Sequence, residues 1–109
     1  MATTYKVLGQ SNPAATTATT LYTVPSATQA VISTITVCNQ GTTSSSYRIA
    51  VRPSGATLAA QHYVAYDIAI AANDTTALTL GIAMSATDVV TVYAANTNLS
   101  FSAFGSEIV

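Results

Sequence analysis

The sequence predicts an all-β fold: a single antiparallel β-sandwich of about eight strands, with a jelly roll as one form of it. Three observations carry this. β-Branched and aromatic residues recur in short runs, Gly, Pro, Asn, Asp and Ser separate the runs, and apolar and polar residues alternate with a period of two inside them. A chain of 109 residues has room for one two-layer core, so residues 1–109 are read as one domain.

Residues 5–8 and 19–24 give two short strands, separated by the Ser11-Asn12-Pro13 turn and closed by Pro25. The run 29–39 reads as a strand with Val31, Ile35 and Val37 on one parity and Ile32 opposite, and Asn39-Gln40-Gly41 supplies turn chemistry after it. Tyr47, Ile49 and Val51 alternate with Arg48, Ala50 and Arg52 before Pro53-Ser54-Gly55, so an apolar face opposes one bearing both arginines. Residues 56–60, rich in Ala, are compatible with a helical turn.

From 62 to 70, Val64, Tyr66, Ile68 and Ile70 share one side, with Tyr63, Ala65, Asp67 and Ala69 on the other, and both faces are expected to be at least partly covered. Leu78 and Leu80 lead to Gly81, and Val90 and Val92 alternate with Val89, Thr91 and Tyr93. The last run sets Leu99, Phe101 and Ala103 against Ser100, Ser102 and Phe104 and is expected to end near Gly105. Stretches 14–20 and 41–46, low in complexity and flanked by strands, read as loops.

Composition then narrows the function. Hydrophobic residues make up 50% of the chain and charged residues only 6%, against roughly 25% charged in an average soluble domain. With a net charge of −1 and a mean hydropathy of +0.42, the balance is the reverse of a disordered chain. The surface must consist mostly of neutral hydroxyl and amide groups, which cost little to bury. Copies so weakly charged repel one another little, and the chain is expected to be a homo-oligomer or an assembly partner.

Three basic residues, Lys6, Arg48 and Arg52, are too few to neutralise several phosphates, so no nucleic-acid partner is expected. The start shows no basic segment followed by an apolar run, and no apolar stretch approaches the roughly 18 residues of a membrane span. Neither a signal peptide nor a membrane partner is therefore expected. Cys38, the one cysteine, has no partner for a disulfide and reads as a small buried strand residue.

No catalytic, cofactor-binding or metal-binding residue is predicted, and the chain is read as a non-enzyme. Asp74 and Asp88 sit in turn contexts, Asp67 is placed to pair with Arg48 or Arg52 across strands, and Glu107 stands alone near the end. His62, the only histidine, is read as a strand-start residue able to donate one hydrogen bond; no nucleophile is singled out for it to activate. Tyr63 and Tyr93 suit either strand packing or a contact surface.

The runs Leu21-Tyr22-Thr23-Val24-Pro25, Val37-Cys38-Asn39, Tyr47-Arg48-Ile49-Ala50-Val51-Arg52-Pro53 and the FSAFGSEI of 101–108 resemble a family of small β-rich virion structural proteins of tailed bacteriophages. The likeness spans nearly the whole chain and includes Ala72-Asn73-Asp74-Thr75 and the segment 87–94. It implies a non-enzymatic virion component made in the host cytoplasm. The preferred role is a capsid decoration or cement protein, often a trimer, that stabilises the head through contacts with itself and with the major capsid protein or other virion proteins. A tail, baseplate or fibre component is the alternative. A carbohydrate-binding module, with Tyr63, Tyr66 or Tyr93 as an aromatic platform, is more remote, because Trp is absent. Strand-like termini suggest in addition that residues 1–10 or 107–109 could join a neighbour's sheet.

Overall fold

A computed structural model describes residues 2–109. Eight strands form: β1 (Thr3–Ser11), β2 (Thr19–Thr23), β3 (Gln29–Asn39), β4 (Ser45–Arg52), β5 (Tyr63–Ile70), β6 (Thr75–Met84), β7 (Val89–Ala94) and β8 (Leu99–Ile108). They build two four-stranded antiparallel sheets, ordered β1-β8-β3-β6 and β2-β7-β4-β5. Successive nested pairs, β1 with β8, β2 with β7, β3 with β6 and β4 with β5, give the wrapping of a double-sheet jelly roll.

Alternation sends one row of each strand into the space between the sheets. Ile35, Val37, Leu99 and Phe101 from the first sheet meet Tyr47, Ile49, Val90 and Val92 from the second, all without solvent exposure. The Tyr47 and Phe101 rings meet edge to face, with centroids 6.2 Å apart, an arrangement that adds about 0.5–1.5 kcal/mol to the burial itself. Burial raises the Tyr47 phenol pKa above its ordinary value.

The parity expected for β3 is reversed at its start. Ala30 and Ile32 are buried and Val31 is not, whereas Ile35 and Val37 are buried farther on. A bulge explains this: Thr34 pairs with Phe104 and Ile32 with the adjacent Gly105, leaving Ser33 as an extra residue. The same level is irregular in β1, at Val7/Gly9, and in β6, which passes through Gly81 at φ +61° and runs on to Met84. Gly105 therefore does not end β8. A Cβ there would lie 1.9 Å from the Val31 carbonyl oxygen, so the close backbone approach requires glycine.

On the second sheet the connection 53–62 folds over the outer face. Arg52 donates from Nε to Thr91 Oγ1 at 3.0 Å and from Nη1 to the Ala56 carbonyl at 2.9 Å, and Ala50, Thr91 and Val89 are buried beneath this segment. Only Pro53–Gly55 and Ala60–His62 form 3₁₀ turns. The helical turn expected over 56–60 is thus confined to its last residue, because Arg52 captures the Gly55 and Ala56 carbonyls from outside.

Strand β5 also departs from its expected cover. It is an edge strand, and Val64, Tyr66 and Ile68 are exposed. Asp67 adopts φ +51°, and the register with β4 shifts between Tyr47↔Ile68 and Ile49↔Ala65, so the simple alternation breaks at a bulge. The two ends of the chain do not extend outward as free strands. Ala2 and Val109 exchange both backbone hydrogen bonds, at 3.0 and 2.9 Å, and β1 lies against β8 of the same chain.

Candidate protein–protein interface

The outer face of the β1-β8-β3-β6 sheet carries no charged side chain among the described residues. Its rows follow from the register. Val7, Phe104, Thr34 and Thr79 form one row across all four strands. Tyr5, Ser106, Val31 and Ala83 form the next on one side, and Gln10, Ser102, Thr36 and Ala77 the next on the other. Ser100, Cys38 and Thr75 continue it. The intervening rows hold buried residues such as Phe101, Ala103 and Ile32, so these rows point away from the core.

Apolar side chains stand out on this face. Tyr5 is 83% exposed, Val7 49% and Phe104 37%, with Phe104 beside Val7 near the middle of the sheet. The remainder is hydroxyl, amide and methyl. Cys38 belongs here as well, half-buried and outward, which corrects the expectation of a buried residue: the bulge at Ser33 turns the even-numbered positions that follow it outward.

The ionic groups lie elsewhere. Arg48 donates from Nε and Nη2 to the two Asp67 carboxylate oxygens at 2.6 and 3.3 Å, which fulfils the expected cross-strand pair and selects Arg48 over Arg52. Its guanidinium also lies 4.2 Å from the ring centroids of both Tyr66 and Tyr93. The hydrogen bond to Asp67 holds the Arg48 pKa above its ordinary value. Asp88 accepts from the Ser85 and Ser54 amides at 2.9 and 2.8 Å, and Asp74 accepts from the Thr75 amide at 2.8 Å, so both act in turns as read from sequence. His62 closes the turn before β5 reciprocally with Ala59: its Nδ1 accepts the Ala59 amide at 3.0 Å and its own amide donates to the Ala59 carbonyl at 3.1 Å.

Two polar residues do more than the sequence assigns to them. Glu107, 9% exposed, joins the sheets: it accepts the Tyr22 hydroxyl at 2.5 Å and pairs with Lys6 Nζ at 2.9 Å. These partners hold its carboxyl below the usual range, the Tyr22 hydrogen bond contributing most, and burial together with Glu107 raises the Tyr22 phenol. Buried Asn39 donates to the Thr43 and Ala71 carbonyls at 2.9 and 3.1 Å and accepts the Gly41 amide at 2.9 Å, tying two loops together. The Asn39-Gln40-Gly41 signal located that turn but not its link to residue 71.

The three tyrosines weighed as an aromatic platform do come together. Tyr63 and Tyr66 meet edge to face at 4.8 Å, beside a shallow concavity lined by Leu58, Ala59 and Ala60. Arg48, however, occupies one side of both Tyr66 and Tyr93. Among the described residues no group of three or more His, Cys, Asp or Glu is placed to hold a metal ion, and no helix is long and apolar enough to cross a membrane. No protein-family model and no curated protein sequence matches the chain.

Proposed function

We propose that this chain is a non-enzymatic structural protein of a tailed bacteriophage particle, acting as a capsid decoration or cement protein that reinforces the head by protein–protein contacts. The observation that carries the reading is the four-stranded outer face without a charge, an exterior suited to being covered by other protein. Burying it removes apolar area from water at ~25 cal/mol per Å² and desolvates no ion. Double-sheet jelly rolls are recurrent in viral capsid domains, which supports the reading by analogy. Many symmetric copies make weak individual contacts sufficient.

Imaging phage particles that carry a labelled copy tests this. The expected result is a regular array of hundreds of copies over the head. A handful or a few dozen copies at the tail would favour the tail, baseplate or fibre role instead. Particles without the protein would overturn both. Carbohydrate binding is a weaker reading, because a sugar ring stacking on Tyr66 or Tyr93 competes with the Arg48 guanidinium for ring surface.

A further inference from the structure

We propose that the uncharged outer face of the β1-β8-β3-β6 sheet is a homotypic interface, through which two copies of this chain stack face to face with Phe104 near the centre of the contact. The inference concerns the same face that carries the virion reading and goes beyond it by naming a second copy of this chain as what covers it; it stands whether or not the protein belongs to a virion.

Size is the first argument. Four strands spaced about 4.8 Å apart and about ten residues long, at ~3.3 Å per residue, span roughly 600 Å² before side-chain relief is counted. A standard interface takes about 800 Å² of accessible surface from each partner. The whole face, with its side-chain relief, is thus of the order that one partner gives up in a standard interface.

Charge selects the occupant. A partner with ionic groups would have to bury them against a surface that offers no counter-charge, which is unfavourable. The fitting partner is as free of charge as the face itself, and every copy of this chain presents such a surface. The opposite sheet does not: Arg48 and Asp67 project there and the connection 53–62 covers part of it.

Association by strand addition is disfavoured at every sheet edge. The register of β1, β2, β5 and β6 is interrupted in each case, with Asp67 at φ +51° in β5 and Gly81 at φ +61° in β6. Bulges of this kind twist an edge away from a new strand. What remains is stacking of sheet on sheet, at about 10 Å with the strands within about 30° of each other. A single patch that meets its own copy closes with two-fold symmetry, whereas a trimer ring needs two different patches.

Sedimentation equilibrium on the full chain, from micromolar to millimolar concentration, tests the proposal. The expected result is a monomer–dimer equilibrium that Ser102→Lys and Thr36→Glu each weaken at least about tenfold, because like charges then meet across the contact. Thr20→Lys, on an exposed position of the other sheet, should leave the dimer constant unchanged. Circular dichroism verifies that each variant folds. A wild-type protein that stays monomeric throughout would overturn the proposal, as would face variants that dimerise like Thr20→Lys. Particle imaging is read separately, so a protein that coats heads as a monomer would retain the virion reading and lose this one.

Discussion

Tyr22 and Glu107 join the two sheets of the sandwich: the phenol on β2 donates a 2.5 Å hydrogen bond to the carboxylate on β8, and Lys6 on β1 neutralises the same carboxylate from the other side. A buried carboxylate is stable there only because both partners are present. The cluster closes the β1–β2 side of the sandwich, where the two strands also approach so closely that a Cβ on Gly9 would lie 2.1 Å from the Leu21 carbonyl oxygen.

The pH dependence follows from the Glu107 carboxyl, whose pKa is lower folded than unfolded. The unfolded chain then binds the proton first as pH falls, so this contribution to stability is fully present above the ordinary carboxylate value of about 4.3 and is lost as pH falls through the lower folded value. Denaturant midpoints between pH 7 and pH 3 should fall over that window. In Glu107→Gln the dependence should flatten, and Tyr22→Phe should cost about 1.5–3 kcal/mol at neutral pH, the range for a hydrogen bond to a charged group.

Gly105 and Gly81 separate two reasons for glycine. Gly105→Ala drives a methyl into the Val31 carbonyl and should destabilise by at least about 1–3 kcal/mol, as overpacking does. Gly81 has open space around it and only its positive φ to satisfy, so Gly81→Ala should cost about 1–2 kcal/mol. Thermal or urea unfolding should rank Gly105→Ala as the more damaging change.

Asn39→Ala should cost about 1–3 kcal/mol, since the Thr43 and Ala71 carbonyls and the Gly41 amide lose a partner in a largely enclosed site. The urea midpoint should drop with an unchanged slope, because the fold is kept. Hydrogen exchange should accelerate first in the loops after β3 and β5.

Cys38 should react with a thiol reagent in the folded, dilute protein, as its outward place on β3 requires. A thiol that reacts only on global unfolding would contradict the bulge-shifted parity of that strand.

Much of the fold is legible in the sequence because side-chain period and turn chemistry are local. The alternation of Tyr47, Ile49 and Val51, the run Leu99, Phe101 and Ala103, the Asp74–Thr75 turn and the Ser85–Asp88 turn depend on near neighbours, and the structure retains them. Bulges are where local reading fails. Ser33 and Asp67 carry no composition signal, yet each changes which side chains face the core, turning Val31 and Cys38 outward and breaking the parity of β5. Edge position is equally non-local: nothing within Tyr63–Ile70 states that only one neighbouring strand will pair with it.

The interface was partly legible. No charged residue occurs between Lys6 and Arg48 or between Asp88 and Glu107, a gap visible in the sequence. Its meaning appears only when the jelly roll brings β1, β8, β3 and β6 side by side and turns their uncharged rows to the same side. The Tyr22–Glu107–Lys6 cluster had no signal at all, since its members are brought together by the pairing of the first strand with the last.

Hydroxyl-radical footprinting of the aromatic side chains, on the protein alone at low and high concentration, tests the uncharged face most directly. Tyr5 and Phe104 should become protected as concentration rises, while Tyr66 and Tyr93 react at a constant rate. Protection of Tyr66 and Tyr93 with Tyr5 and Phe104 unchanged would place the contact on the opposite sheet and contradict the account.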